Sequence, residues 1–596
     1  MDDQTKNLIL AFALSLAVIM GWFALFPPPE PDPSQTVAQS ELLPPAAEES
    51  STGMVAETAA DPVANSVRVA IDTPRMTGSI ALTGGRIDDL QLRDYQETVD
   101  ENSDLVHLLN PVSGSRHPFY AVYGWSPRGA LDFEHVPGPN TVWQQVGNTD
   151  LTPDSPLTLQ WDNGAGLVFS RIISVDQDFV FTINQSVENT GDAAVSLDPY
   201  GILAQHGEPL DVQGFFISHE GLVQMADGSL TEDSYSNMAD YDVSERHGTP
   251  ARQGTTESNG WIGFTSKYFM ASLMGVPGQG FTSVAQHVPG ADIYQASMRQ
   301  DTVTVQPGET ASAQSMLFTG AKEYETLLGY EDAGIERLTD AIDWGWFFFL
   351  TRPIFQVLNF INSVIGNMGW SILVLTMFLK AILLPLAWKS YVSMARMKEL
   401  QPEMAKMKER VGDDRQKMQQ EMMALYREKK VNPAAGCLPI LLQIPIFFSL
   451  YKVIFVTIEL RHAPWFWVFN DLSAPDPTSI FNLFGAFPWD SPDPGSLMAT
   501  VFLGLLPLLF GASMWFQMRL NPAPADPMQA MIFNWMPLIF MFVMGGFASG
   551  LLIYWIGNNI ITFTQQYLIM SAHGSRPDVF GNIRASVKRP KGGKTG

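Results

Sequence analysis

One stretch constrains the whole chain: Asn362 to Met404, NSVIGNMGWSILVLTMFLKAILLPLAWKSYVSMARMKELQPEM. From Ile365 to Leu386 it is apolar, and its length of about 20 residues is enough to cross a hydrocarbon core. Inside that run stands one charge, Lys380. A lysine at the centre of a spanning helix costs ~2.5–3.5 kcal/mol even on the lenient insertion scale, so it needs a physical reason. Thr376 lies one turn earlier on the same face. Either that face points into protein or a wet cavity, or Lys380, six residues before Leu386, snorkels to the cytoplasmic interface.

Beyond Leu386 the pattern turns basic. Trp388 to Asn432 holds 11 Lys and Arg against 7 Asp and Glu, which places it in the cytoplasm by the positive-inside rule. Met394, Met397, Met404, Met407, Met418, Met422 and Met423 recur at near-helical spacing, and Val411-Gly412-Asp413 interrupts them. A helical hairpin with an apolar stripe is expected. The stripe either closes the hairpin or offers an adaptable surface to varied apolar partners.

At 596 residues the chain exceeds one domain, and its charge is unevenly placed. Pro28 to Asp340 carries 13 Lys and Arg against 44 Asp and Glu, a net of −31; the remainder is +6. An acidic soluble block is thus joined to a weakly basic membrane block, which argues against DNA or RNA as the acidic block's partner. The single cysteine, Cys437, excludes internal disulfides.

Asn7 to Phe26 reads as an uncleaved membrane anchor (residues 1–26). Residues 27–65, rich in Pro, Ala, Ser and Glu, read as a disordered linker. Residues 66–320 alternate or run apolar in short stretches (VRVAIDTP, LVFSRIISV, FVFTINQSVEN, TVTVQPGE) between Gly, Pro and Asn breaks. They predict a large antiparallel β-sandwich. Its histidines are scattered singly, and no metal spacing, nucleophile elbow or phosphate loop is present, so no cofactor or metal is expected. Residues 321–362 turn helical and amphipathic, with Trp344 and Trp346 beside Phe347–Phe349. This density of aromatics predicts anchors in the outer headgroup region, or else the top of a longer span.

The second span covers 363–387, the cytoplasmic hairpin 388–432, and spans three to six 433–570. Those four are Ala434–Ile458, Leu497–Phe516, and Phe533–Met570 split at Gly545-Gly546. Six spans put both termini and the basic segments inside and the acidic β block outside. The tail, 571–596, presents Arg584, Lys588, Arg589 and Lys591 to anionic RNA or headgroups. Polar residues within the spans are few and include Thr376, Lys380, Gln443 and Gln566. No intramembrane carboxylate accompanies Lys380, and no inverted repeat of broken helices is evident. The counter-charge is therefore expected to come from a visitor.

GDDRQKMQQEMMALYREKKVNP, NPAAGCLPILLQIPIFFSLYKVI, ELRHAPWFWVFNDLSAPDP and SGLLIYWIGNNIITFTQQYLI resemble the YidC/Oxa/Alb family of membrane protein insertases over about Trp344–Met570. VFSRIISVDQDFVFTINQSVENTGD and GWIGFTSKYF resemble, more faintly, the periplasmic β-supersandwich of its Gram-negative members. The resemblance implies an α-helical polytopic membrane protein with a five-helix insertase core plus an all-β periplasmic domain in the bacterial inner membrane. It implies a hydrophilic groove, open to cytoplasm and lipid, whose cation meets the acidic end of a substrate. That cation is usually arginine; Lys380 keeps the charge but not the bidentate fork. Thr376, Gln443, Tyr554 and Trp555 fall on groove positions, the hairpin on the substrate-capture element and the tail on a ribosome contact. The implied partners are newly made membrane proteins, the Sec translocon, the ribosome and the bilayer. Two other classes stay open: a small-solute transporter, and a membrane-anchored periplasmic binding or chaperone module.

Overall fold

In a computed structural model, the structure describes residue 63 and residues 65–574, apart from 101, 116, 130, 148, 210–211, 213–217, 413–414, 430–437, 488, 490, 493–495 and 521–526. The expected anchor (1–26), nearly all of the linker, and Arg584, Lys588, Arg589 and Lys591 lie outside the described residues.

The alternating segments form two antiparallel sheets. One runs, edge to edge, Arg68–Asp72, Met76–Ala81, Arg86–Gln96, Phe119–Arg128, Val195–His206, Ile293–Arg299, Phe281–Val288 and Ala251–Thr256, with two short strands added at its sides. The other runs Ser229–Asp233, Gly221–Ala226, Gly260–Thr265, Phe269–Met274, Thr310–Ala321, Val180–Asn189, Leu167–Val175, Leu157–Asp162 and Gln144–Val146. Inward residues at every second position, such as Leu167, Phe169, Ile173 and Val175, fill the space between the sheets together with Trp125, Trp143 and Trp261. The expected all-β block is present.

After a short helix inside the β block, α1 (Tyr235–Ala239), the helices are α2 (Tyr324–Asp332), α3 (Phe348–Ile365), α4 (Met368–Glu399), α5 (Gln401–Val411), α6 (Arg415–Glu428), α7 (Leu438–Val456), α8 (Leu497–Val501), α9 (Leu505–Met518), α10 (Pro527–Val543) and α11 (Ser549–Ala572). α3 and α4 are long and apolar enough to cross a membrane; the apolar stretches Leu442–Val456, Leu505–Met518 and Met531–Gly546 are shorter.

α3 is not the top of α4. Gly366 turns left-handed (φ 72°) and ends α3, and the Asn367 side chain then caps α4 by accepting the Trp370 N–H. α4 does not stop at Leu386. At 1.5 Å per residue its 32 residues span about 48 Å, so it passes well beyond a core of ~30 Å. The expected span Leu497–Phe516 is broken at Phe502–Gly504. The reason is a capture from a distant loop: Asp476 Oδ2 accepts the Leu506 N–H at 2.6 Å and Thr478 Oγ1 the Leu505 N–H at 2.8 Å, which caps a new helix start.

The β block sits on the outer ends of these helices. Lys452 of α7 pairs with Asp343 at 2.6 Å, and Lys267 lies 3.8 Å from the centre of the Phe455 ring. Arg461 donates to the Gln96 carbonyl. Beside this joint, Glu459 is buried next to Glu323 and Glu325 and accepts the Tyr324 N–H at 3.3 Å. Its Oε2 is buried without a partner among the described residues. Burial pushes the Glu459 carboxyl up to about 7. A carboxyl raised on folding stabilises the fold below its unfolded value and loses that contribution as pH rises from about 4.5 to 7. The joint is therefore expected to weaken by roughly 3 kcal/mol across that window. Glu459→Gln should flatten the dependence, as read from protease susceptibility at residues 321–347 against pH.

Candidate functional site

The site is built where α4, α7 and α11 converge. α4 and α11 pack closely because α11 presents glycines to its neighbours. A Cβ on Gly557 would lie 2.7 Å from Leu373 of α4, and one on Gly550 within 3.4 Å of Ile372 and Ile454. Small residues at such crossings let helix backbones approach within a membrane, where hydrophobic drive is absent. Pro445 removes one backbone N–H from α7 and leaves the Leu441 carbonyl without its usual partner, two residues from Gln443.

Close approach brings three polar side chains from three helices into a chain. Lys380 Nζ donates to Gln443 Oε1 at 3.1 Å, and Gln443 Nε2 donates to the Tyr554 hydroxyl. These residues are 63 and 111 positions apart in sequence. Lys380 and Gln443 are half-buried, whereas Tyr554 is buried. Lys380 therefore faces protein through Gln443 instead of reaching only for the interface. Among the described residues no carboxylate pairs with it. A cation that has one amide acceptor but no counter-ion is ready to receive an anion.

Thr376 lies on the same face one turn earlier, and its hydroxyl bonds its own helix instead of the cation. It is buried, and its hydroxyl donates to the Ile372 carbonyl of its own helix at 2.7 Å. Trp555 is half-buried between Phe447 and Phe510, with ring centres 5.0 and 5.8 Å away. Its Nε1 is buried without an acceptor among the described residues. Tyr554 and Trp555 thus diverge: one joins the polar chain, the other packs the wall.

What reasoning from sequence missed on α11 is Thr562 and the stripe it completes. Tyr554, Asn558, Thr562 and Gln566 follow at four-residue steps, so they form one stripe. All are buried, and the Asn558 Oδ1 and Thr562 Oγ1 lack partners among the described residues. The four-residue period was present in SGLLIYWIGNNIITFTQQYLI; the signal was periodicity of polar residues in an apolar helix.

The methionines divide between elements. Met394 and Met397 stand half-buried on α4 rather than on the hairpin. In the hairpin itself, α5 and α6 turn at Gly412 (φ 66°). Met407 is buried, and Met404 receives the Tyr426 hydroxyl at 3.7 Å. Met418 and Met422 are half-buried. Much of the stripe closes the hairpin. Met423 is the exposed one (46%).

Trp344 corrects the expectation of an interfacial anchor. It is 4% exposed, donates to the Thr339 carbonyl at 3.0 Å, and packs edge-on to Tyr324 and against Phe355. An indole with both its faces and its N–H taken by protein has none left for headgroups. Trp346, two residues on, is 95% exposed.

A helical core that includes helices long and apolar enough to span, a polar chain ending in a cation without a carboxylate partner among the described residues, and a large β block docked at one end describe a membrane protein with a large soluble domain. The description "60Kd inner membrane protein" matches residues 360–576, and "YidC periplasmic domain" matches 68–357. A membrane protein insertase YidC from Dinoroseobacter shibae is 60% identical over 603 residues, covering 99% of both chains. One from Cereibacter sphaeroides is 58% identical, covering 99% of this chain and 96% of its own. A crystal structure of an active YidC insertase with its first transmembrane domain resolved is 16% identical, covers 84% of this chain and 92% of its own, and has a TM-score of 0.34. The chain belongs to the YidC family of membrane protein insertases.

Proposed function

We propose that this chain inserts membrane proteins by offering Lys380 as the counter-charge for an acidic segment that must cross to the outside. The observation that carries this reading is the Lys380–Gln443–Tyr554 chain, which holds the cation inside the helix cluster with no carboxylate partner among the described residues. Gln443 and Tyr554 fix where the ammonium stands, and Thr376 and Trp555 shape the wall beside it. A carboxylate ~8 Å from Lys380 gains roughly 2 kcal/mol at an effective dielectric of 20. The inside-negative potential then favours outward movement of each negative charge by about 2.3 kcal/mol per 100 mV for a full crossing. Each step is binding and partitioning, with no bond made or broken, so the chain acts as an insertase and not as an enzyme.

The wider scheme belongs to the same proposal. Both termini are cytoplasmic, and six spans leave the β block in the periplasm. The hairpin, through Met423 and the half-buried Met418 and Met422, meets substrate first. Arg584, Lys588, Arg589 and Lys591 hold the ribosome or anionic lipid, and the Sec translocon shares part of the load. Trp346 alone takes the interfacial role expected of the pair.

The test is reconstitution of the purified full chain in protein-free liposomes with a short single-span protein whose translocated end is acidic. Protease-protected, correctly oriented product is expected without any other protein. Saturable flux of a small solute with no insertion would replace this reading with a transporter. Binding of unfolded protein by residues 66–320 alone, with no insertion by the full chain, would replace it with a periplasmic chaperone.

A further inference from the structure

At the joint between the β block and the helices lies a cavity of about 930 Å³. Its walls are of two kinds. Phe347, Phe348 and Phe448 line one side; Phe348 and Phe448 are exposed (57% and 43%) and stand beside the exposed Trp346. The other side is polar: Arg337, Asp340 and Arg352 together, and the Lys452–Asp343 pair beside His219 and Glu232.

The polar groups are unevenly satisfied. Asp340 accepts both Arg337 and Arg352, and Glu331 balances the second guanidinium's charge from nearby without bonding it. Glu331, the next acid near Arg352, is taken up by the Thr339 N–H and hydroxyl at 3.1 and 2.7 Å. Burial pushes the Glu232 carboxyl on the opposite wall above its usual range. The Arg352 Nε–H is buried with no acceptor among the described residues. A buried guanidinium N–H with nothing to bond costs free energy that an acceptor oxygen would recover. Planar donors of this kind suit a phosphate. The aromatic wall asks for something different, an apolar body continuous with the bilayer, because Phe448 belongs to the exposed face of α7.

We propose that this cavity holds one outer-leaflet phospholipid, its phosphodiester on Arg352 and Arg337 and its acyl chains lying along Phe347, Phe348 and Phe448. The lipid would wedge between β block and core, and its occupancy would set how firmly the β block seats on α7 through Lys452. At about 930 Å³ the cavity is at the upper end of the roughly 300–1,000 Å³ of ligand pockets, so it would take the headgroup and the start of the chains, with the rest in the bilayer.

The test uses the full chain in vesicles of phosphatidylglycerol and phosphatidylethanolamine doped with a phosphatidylglycerol that carries a photoreactive group in its acyl chain. Adducts are expected on Phe347, Phe348 or Phe448. They should fall roughly tenfold in Arg352→Gln, as loss of a charge-assisted bond implies. Arg93→Gln, at a residue that lines no part of the cavity, and excess inorganic phosphate should not change them. Labelling spread evenly over lipid-facing residues such as Phe540 and Ile560 would overturn the proposal in favour of bulk lipid contact. Loss of adducts on adding inorganic phosphate would overturn it in favour of a small-anion site. The adduct map in the unaltered chain decides the matter even if Arg352→Gln does not fold.

Discussion

Lys380→Glu is expected to abolish insertion of proteins with an acidic translocated end, and Lys380→Ala to lower it roughly thirtyfold. That factor is the ~2 kcal/mol attraction of a carboxylate near 8 Å converted at 1.4 kcal/mol per tenfold. Lys380→Arg should stay near the unaltered rate, because the charge is what acts over that distance; its fork adds geometry a moving substrate does not require. The contrary outcome is well defined. Were Lys380 a snorkelling residue, alanine would relieve the cost of a charge in the membrane and insertion would be unchanged. The Lys380–Gln443 bond sets the expectation for a second variant, since Gln443→Leu removes the amide that holds the ammonium in place. It should weaken insertion less than Lys380→Ala, because the charge remains. Insertion rates of the variants at matched expression decide between the two roles.

The second large effect concerns the β block. Arg171 is 1% exposed between the two sheets, in the strand Leu167–Val175. It donates to the Gly85 carbonyl at 3.1 Å and to the Tyr123 carbonyl at 2.5 Å, and its guanidinium lies 4.5 Å from the centre of the Trp143 ring. A Cβ on Gly85 (φ 56°) would fall 2.4 Å from its Nη1, so only glycine fits there. Burial pulls Arg171 down to about 10, yet it remains charged at neutral pH and bonded to carbonyls of the opposite side. Arg171→Ala would leave a cavity and two buried carbonyls unpaired. At 1–3 kcal/mol for each such group, destabilisation on the order of 3–5 kcal/mol is expected, which thermal unfolding of the β block would show as a large fall in Tm. Arg171→Lys should recover part of it, having a charge but one donor centre. A Tm for Arg171→Ala within a degree or two of the parent would contradict this placement.

Arg171 also shows what the sequence did disclose. In LVFSRIISV the two-residue alternation puts Leu167, Phe169, Arg171, Ile173 and Val175 on one face and Ile172 on the other. The structure agrees, with Arg171 buried and Ile172 41% exposed. The pattern was legible, but composition alone would have turned the arginine out and the isoleucine in. The all-β block, the hairpin turn at Gly412 and the break at Gly545-Gly546 were readable for the same reason: each rests on local periodicity or on a residue that breaks it.

What was not legible came from partners far away in sequence. The break before α9 needs Asp476 and Thr478 to reach Leu505 and Leu506. The start of α11 is likewise held by a loop, since Ser549 and Gly550 donate to the carbonyls of Ala474 and Leu472. Trp344 looked like a membrane anchor because its neighbours are aromatic, and tertiary packing against Tyr324 and Phe355 took it inside. Lys380 was visible as a charge in an apolar run; that Gln443 and Tyr554 hold it could come only from the helix crossings.

The central claim is that Lys380 acts on substrate through charge, and a charge exchange tests it most directly. The full chain and Lys380→Glu are each reconstituted with two versions of one short single-span protein, its translocated end acidic in one and basic in the other. Insertion is read as the protease-protected fraction with no membrane potential applied, so that the site's own field is measured. The account predicts a crossover: the unaltered chain prefers the acidic end, and Lys380→Glu fails with it but gains on the basic one. Equal loss on both substrates, or no loss on either, would contradict it.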